Sequence, residues 1–271
     1  VAGQGDEEVV RVAEVFGDAS EVTAVQMLHR PVHDHAQAGS SALAAWVSEG
    51  DDIASALRGL GLGAPRPVLV VVGGASGLAA RRLDRLRPLF FEALVPIIRS
   101  VGGAVVDGGT DSGVMRLMGE VASHVTTFPL VGVAAVGTVR LPGVDEAAEG
   151  TAALESHHTH FVLVPGSEWG DESEWISTIA TVLSGSRPAA TVLVNGGETA
   201  WRDVEASVAA GRRVVVVDGS GRAADDIAAA IRGAPFGDRG YRLAESGLVQ
   251  AVSLDGGAGE LAEAVRVLLG G

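Results

Sequence analysis

The stretch VVDGGTDSGVMRLMGE, residues 105–120, decides the fold. A short β-type run ends in two glycines, a Thr-Asp-Ser-Gly turn follows, and an apolar-periodic segment then begins. Val-rich residues favour a strand and the later spacing favours a helix, so the glycines mark a strand-to-helix junction. The same junction recurs along the chain. Strands are predicted over 67–72, 104–107, 129–136, 160–164, 190–195 and 212–218. All but the third hand over to helices, over 81–101, 112–125, 171–183, 198–210 and 222–233; a long loop rich in Gly and Glu follows the third. A last pair, 248–254 and 260–269, reads as an edge strand and a closing helix.

Short buried strands alternating with longer helices mean βαβ units and a parallel sheet covered on both faces. The predicted class is therefore α/β, a Rossmann-like doubly wound and mostly parallel sheet, in a single domain over residues 66–271. Residues 1–65 read as an N-terminal extension packed on that core. There, 21–28 is expected to be a strand, and SSALAAWVSEG (40–50) and DDIASALRGL (51–60) two short helices split by Gly50, with Asp51 as a cap.

Composition narrows the function. The formal net charge of −14 opposes the basic surface that a polynucleotide partner requires, but it does not oppose a small anion held by backbone amides and an arginine. The chain has no cysteine and no lysine, which excludes disulfides, thiolate catalysis, Schiff-base chemistry and the lysine of a Walker-A loop. No apolar run reaches the roughly 20 residues of a membrane span. VAGQGDEEVV lacks the basic and apolar regions of a signal peptide, so a cytoplasmic protein without a membrane partner is expected.

In a parallel sheet the carboxyl ends of all strands share one rim. Here that rim carries Gly73-Gly74, Gly108-Gly109-Thr110, Gly137-Thr138, Pro165-Gly166, Asn195-Gly196-Gly197 and Gly219-Ser220-Gly221. Six permissive turns in succession, several with hydroxyls, point to a ligand rather than to turn geometry alone. Asp111, Ser112 and Gly113 extend the second turn, with Ser112 also fitting a helix N-cap, and Arg222 adds charge behind the last. No G-x-G-x-x-G spacing, Walker-A loop or G-x-S-x-G elbow is present.

Three ordered segments, GGTDSGVMRLMGE (108–120), LESHHTHFVLV (154–164) and VVVVDGSGRAADDIAAAI (214–231), resemble the SLOG superfamily. The closer likeness is to prokaryotic relatives of the N-terminal region of melastatin-type TRP channels, and it covers roughly residues 66–232. The resemblance implies a Rossmann-like fold that binds a nucleotide-derived ligand such as ADP-ribose or a cyclic relative, with no cofactor required. A homodimer or higher homo-oligomer and a downstream effector protein are the expected partners. His158 joins the ligand set through the His-x-Thr-His stretch of the motif. The alternation of His158 and His160 would also suit two metal ligands, although the motif itself implies no metal and none is assigned.

A more distant resemblance is to the Lonely-guy phosphoribohydrolases. Gly108, Gly109, Gly113, Val114 and Met115 match their first loop, and Pro165, Gly166, Gly170 and Glu174 fall in a stretched version of the second. That loop is two residues longer here, Asp171 replaces a threonine, and no Arg-Lys pair precedes the strand. The alternative it implies is an N-glycosidic hydrolase with Glu174 acting on a ribosyl cation or water and Asp171 behind it. Trp169 and Trp175 flank the loop as candidates for stacking on a base.

Overall fold

The structure, a computed structural model, describes residues 14–15, 22–27, 40–74, 80–125, 128–141, 149–235 and 237–270. In the N-terminal part lie β1 (Glu14–Val15), β2 (Val22–Met27), β3 (Ser40–Trp46) and α1 (Ile53–Gly59). Then come β4 (Val68–Gly73), α2 (Ala80–Pro88), which runs through a π-helical turn at Leu89–Leu94 into α3 (Val95–Ser100), β5 (Ala104–Asp107) and α4 (Gly113–Ser123). β6 (Leu130–Ala135) is followed by the short β7 (Val139–Arg140) and β8 (Ala152–Ala153), which pair with each other. β9 (His160–Val164), α5 (Ser173–Ser184), β10 (Ala189–Val194), α6 (Glu198–Ala209), β11 (Arg213–Asp218) and α7 (Ala223–Ile231) continue the alternation. α8 (Gly237–Glu245), β12 (Val249–Ser253) and α9 (Gly257–Leu269) close it.

Among the described residues one sheet runs β1-β2-β3-β9-β6-β5-β4-β10-β11-β12. The eight strands from β3 to β12 are parallel, and β1 and β2 add antiparallel at one edge. The Val-rich strands are buried on both faces, and alternate residues feed two separate cores. Val68, Val70 and Val72 face α1 and α5–α7, while Leu69 and Val71 face the α2–α3 segment, α4 and α9. Small residues fill a third core over β3, β6 and β9, where Ala42, Ala44, Phe161 and Leu163 pack under Val139 and Leu154.

Two expectations in residues 40–60 are corrected. SSALAAW is a strand, because Leu43 to Trp46 find a parallel partner in His160 to Leu163. Pairing overrides the helical preference of alanine, and the alternation Ala42/Ala44 against Ala45/Val47 divides the segment between two cores. Asp52, not Asp51, caps α1 by accepting from Ala54 N, whereas Asp51 accepts from Ser48 N. α8 is a helix that the sequence pattern left unassigned.

Arg212 is buried between the middle of α5 and the last turn of α6. It donates to Ser177 O, Ser177 Oγ, Thr181 Oγ1 and Ser207 Oγ, so hydroxyls and a carbonyl rather than a carboxylate hold its charge. Burial lowers its pKa to about 10. No helix among the described residues is long and apolar enough to cross a membrane.

Candidate functional site

The chain lays β5, β6 and β9 on one side of β4 and returns to place β10, β11 and β12 on the other. Strand order therefore reverses between β4 and β10, where an open α/β sheet leaves a crevice at its carboxyl ends. A cavity of about 420 Å³ occupies that position. Gly73, Gly74 and Gly108 border the strand ends; Thr110, Ser112 and Met115 line it from the start of α4; Gly197 to Ala200 line it from the start of α6; Trp169, Glu172, Ile176, Asp203 and Arg222 complete the wall.

Two helix starts face this space. Ser112 occupies the N-cap position of α4 in extended backbone but makes no side-chain cap bond. Its hydroxyl lies 3.4 Å from Thr110 Oγ1, leaving both at the cavity wall. Gly197 caps α6 without a side chain, so the first-turn amides receive no capping acceptor from it. A Cβ at Gly197 would lie 2.8 Å from Arg222 Nη2, and the glycine thus lets the guanidinium rest against the helix start. Amides and a cation converging on one point make an anion seat.

The turn after β5 is held from beneath by a buried ionic network. Asp107 Oδ1 accepts from Gly109 N at 2.7 Å and lies 2.8 Å from His158 Nε2. His158 Nδ1 lies 2.8 Å from Glu155 Oε2, and Glu155 also holds His157 Nδ1 at 2.6 Å and His157 N at 3.0 Å. With a carboxylate on each ring nitrogen, His158 fits the doubly protonated form. Burial alone would lower its pKa, but the charges and hydrogen bonds of Asp107 and Glu155 raise it to about 9. Burial opposes ionisation of Glu155 as well, yet the two histidines pull it down to about 2. Backbone bonds complete the clamp: Glu155 N donates to Gly109 O and Asp111 N to Ala153 O. Gly109 sits at φ 64° with a Cβ position only 2.7 Å from Gly132 Cα, so a side chain would push the turn off β6.

His158 therefore does not line the cavity; its side chain is fully buried under it. Asn195 and Ser220 are likewise internal. Asn195 N donates to Ser220 Oγ, Asn195 Nδ2 to Ser220 O, and Asn195 Oδ1 accepts from Gly196 N, which locks the β10 turn to the β11 turn. The glycine turn before α7, where Arg222 would add charge to an anion site, is taken by the protein itself. Asp225 Oδ1 accepts from Gly219 N at 2.7 Å and Gly221 N at 2.9 Å. Asp111 pairs with Arg116, and Gly113 is the first residue of α4. Gly137, Thr138, Pro165 and Gly166 stand at the ends of β6 and β9, where Gly137 N donates to Gly166 O. Of the predicted ligand set, the structure thus gathers Gly73, Gly74, Gly108, Thr110, Ser112, Gly197 and Arg222 around one cavity.

The two proposed catalytic carboxylates lie elsewhere. Glu174 is exposed on the first turn of α5, and Asp171 accepts from Ser167 N and Glu168 N, bonds that shape the loop and lower its pKa. Three carboxyl groups line the cavity: Glu198, exposed and paired with Arg239, and the buried Glu172 and Asp203. Burial raises Glu172, whose Oε2 accepts from Gly170 N. Burial raises Asp203 to about 7; a hydrogen bond with Ser173 opposes the rise, and the Glu172 charge adds a smaller push upward. Asp203 carried a readable signal, because it falls on the buried stripe of α6 with Ala200, Val204 and Ser207, where a carboxylate is out of place. Trp169 is 42 % exposed at the cavity wall, whereas Trp175 packs on the core. Asp218 pairs with Arg232, and Arg140 donates to Thr151 O. His29, His33 and His35 lie outside the described residues, as do the side chains of Arg81 and Arg82.

Comparison with known proteins agrees with this architecture. The family model described as "SLOG in TRPM, prokaryote" matches residues 66–263. Transient receptor potential cation channel subfamily M member 2 of Mus musculus is 28 % identical over a 207-residue alignment, covering 62 % of this chain and 13 % of that protein. The subfamily M member-like 2 channel of Nematostella vectensis is 28 % identical over 198 residues, covering 59 % of this chain and 13 % of its own. A transient receptor potential channel of Caenorhabditis elegans is 27 % identical over 195 residues, 60 % of this chain and 10 % of its own. The matched region is thus a small part of each channel. The chain belongs to the SLOG family, in the prokaryotic group related to the N-terminal region of TRPM channels.

Proposed function

We propose that this domain binds a nucleotide-derived ligand of the ADP-ribose class in the cleft between β4 and β10 and acts as a sensor of it. One observation carries the reading. At the point of strand reversal, a cap-free helix start with Arg222, the hydroxyls of Thr110 and Ser112, and the exposed face of Trp169 border the same cavity. Amides and guanidinium suit a phosphate, hydroxyls suit a sugar, and an indole suits a base. A sensor passes occupancy on, to a second copy of the chain or to an effector, through the turns that the ligand orders. Hydrolysis by Glu174 receives no support from the geometry, since that side chain lies outside the cavity wall.

Native mass spectrometry of the freshly purified protein, followed by calorimetry with ADP-ribose, cyclic ADP-ribose and AMP, tests the reading. The expected result is saturable binding with a rise in melting temperature that follows the logarithm of ligand concentration. Absence of heat with every adenine nucleotide would refute it.

A further inference from the structure

The two buried carboxyl groups in the cleft, unlike the exposed Glu198 that pairs with Arg239, have no ion-pair partner among the described residues. Asp203 is 9 % exposed and its Oδ1 accepts no hydrogen bond; Glu172 is 6 % exposed with one oxygen engaged by Gly170 N. Asp203 lies on α6 six residues beyond Gly197, so it stands about 9 Å deeper along the helix than the Arg222 seat, at ~1.5 Å per residue. The cleft is therefore bipolar. One end offers donors and positive charge, with the exposed Glu198 engaged by Arg239; the other offers buried acceptors whose desolvation is only partly offset, by Gly170 N at Glu172 and by Ser173 at Asp203, until something further donates to them. In the nucleotide reading the base takes the exposed face of Trp169, so the buried end is left for hydroxyl groups. Two neighbouring carboxyls suit a vicinal pair.

We propose that Asp203, backed by Glu172, is the specificity-determining residue of the cleft and accepts hydrogen bonds from the vicinal hydroxyls of a ribose carried by the phosphorylated ligand. The proposal rests on the nucleotide reading above. It carries a pH signature, because hydroxyls donate to the ionised carboxylate. From the start of α5, Glu172 and Ser173 face Asp203, and the elements packed against α6 contribute apolar groups such as Val72, Leu193 and Val214. Arg222, ahead of α7, is the cation of the cavity wall, and Arg202 and Glu198 are the exposed charges on α6 nearest the cleft. With Asp203 raised to about 7 in the free protein, binding is at full strength above that value and is lost as pH falls through it. Affinity is then about tenfold lower at pH 6 than at pH 8.

The test is calorimetry on the full chain with ADP-ribose, whose phosphodiester groups do not titrate in this range, and with analogues lacking the 2′-hydroxyl of either ribose. The wild type is expected to show the tenfold pH effect, and one of the two analogues to lose it together with affinity. Asp203→Asn is expected to bind at least tenfold more weakly at pH 8 and with no pH dependence. Glu172→Gln keeps the dependence and moves it to lower pH, since one charge beside Asp203 is gone. Wild-type affinity and pH slope in Asp203→Asn, or deoxy analogues that both bind like the parent, would overturn the proposal while leaving the nucleotide reading standing. No binding of ADP-ribose or AMP by the wild type at pH 8 overturns both.

Discussion

Raising the pH from 7 to 9 should weaken this protein through one buried imidazole, His158. Its side chain is fully buried between Asp107 and Glu155, and its pKa rises from an ordinary 6.5 to about 9. A group whose folded pKa is raised adds stability that is complete below 6.5 and disappears as pH climbs through the folded value. At ~1.4 kcal/mol per tenfold, the full contribution is about 3 kcal/mol, of which about 2 kcal/mol disappears between pH 7 and 9. For a domain of this size that loss is about 4–8 °C in Tm. Urea denaturation at pH 7, 8 and 9 measures it, and Asp203, at about 7, is already half ionised where that range begins and adds only about 0.4 kcal/mol in the same direction. His158→Gln removes the titrating group. It should be less stable at pH 7, because two buried carboxylates lose the cation between them, but should have lost most of the slope. If His158→Gln does not fold, Glu155→Gln is expected to move the loss of stability to lower pH by removing one of the two carboxylates. A wild type equally stable at pH 7 and 9, or a His158→Gln variant with the wild-type slope, would refute the reasoning.

Other perturbations test the remaining contacts. Gly119→Ala places a Cβ on Glu155 Oε2, which His157 and His158 hold in place, and should cost about 3–5 kcal/mol in urea melts despite the helical preference of alanine. Trp169→Ala should weaken adenine-nucleotide binding by one to two orders of magnitude in calorimetry, from the ~1–3 kcal/mol of a lost base stack, with the melting temperature of the free protein little changed. Glu174→Gln should leave both affinity and stability within about 0.5 kcal/mol of wild type, since the residue is exposed and outside the cavity wall.

The parallel strands were legible because burial on both faces turns each into a Val-rich run, and the glycines at their ends marked the rim. β3 was not, because its alanines and serines satisfy a helical pattern equally well and only its partner strands, β9 on one side and β2 on the other, decide between them. The cavity wall was half legible. Gly74, Thr110, Ser112 and Gly197 stand beside strand ends, where topology alone places them. Glu172 could not be told from Glu174, since which acid of the Asp-Glu-Ser-Glu run turns inward depends on where α5 begins. Ser220 stands in the turn after β11, but its hydroxyl is spent on Val217 O and Asn195 N, an arrangement set by neighbouring turns rather than by its own.

The turn after β11 has a consequence for the whole rim. Asp225 folds back onto the amides of Gly219 and Gly221, so the chain supplies its own resident anion at a place where a Rossmann-like sheet offers a vacancy. On the proposed reading, an incoming phosphate would meet a negative charge there and be left with the mouth between β4 and β10. Selectivity would then begin with an occupied berth: shortening that side chain to alanine would free the amides of Gly219 and Gly221 as a second docking point for inorganic phosphate on the same edge.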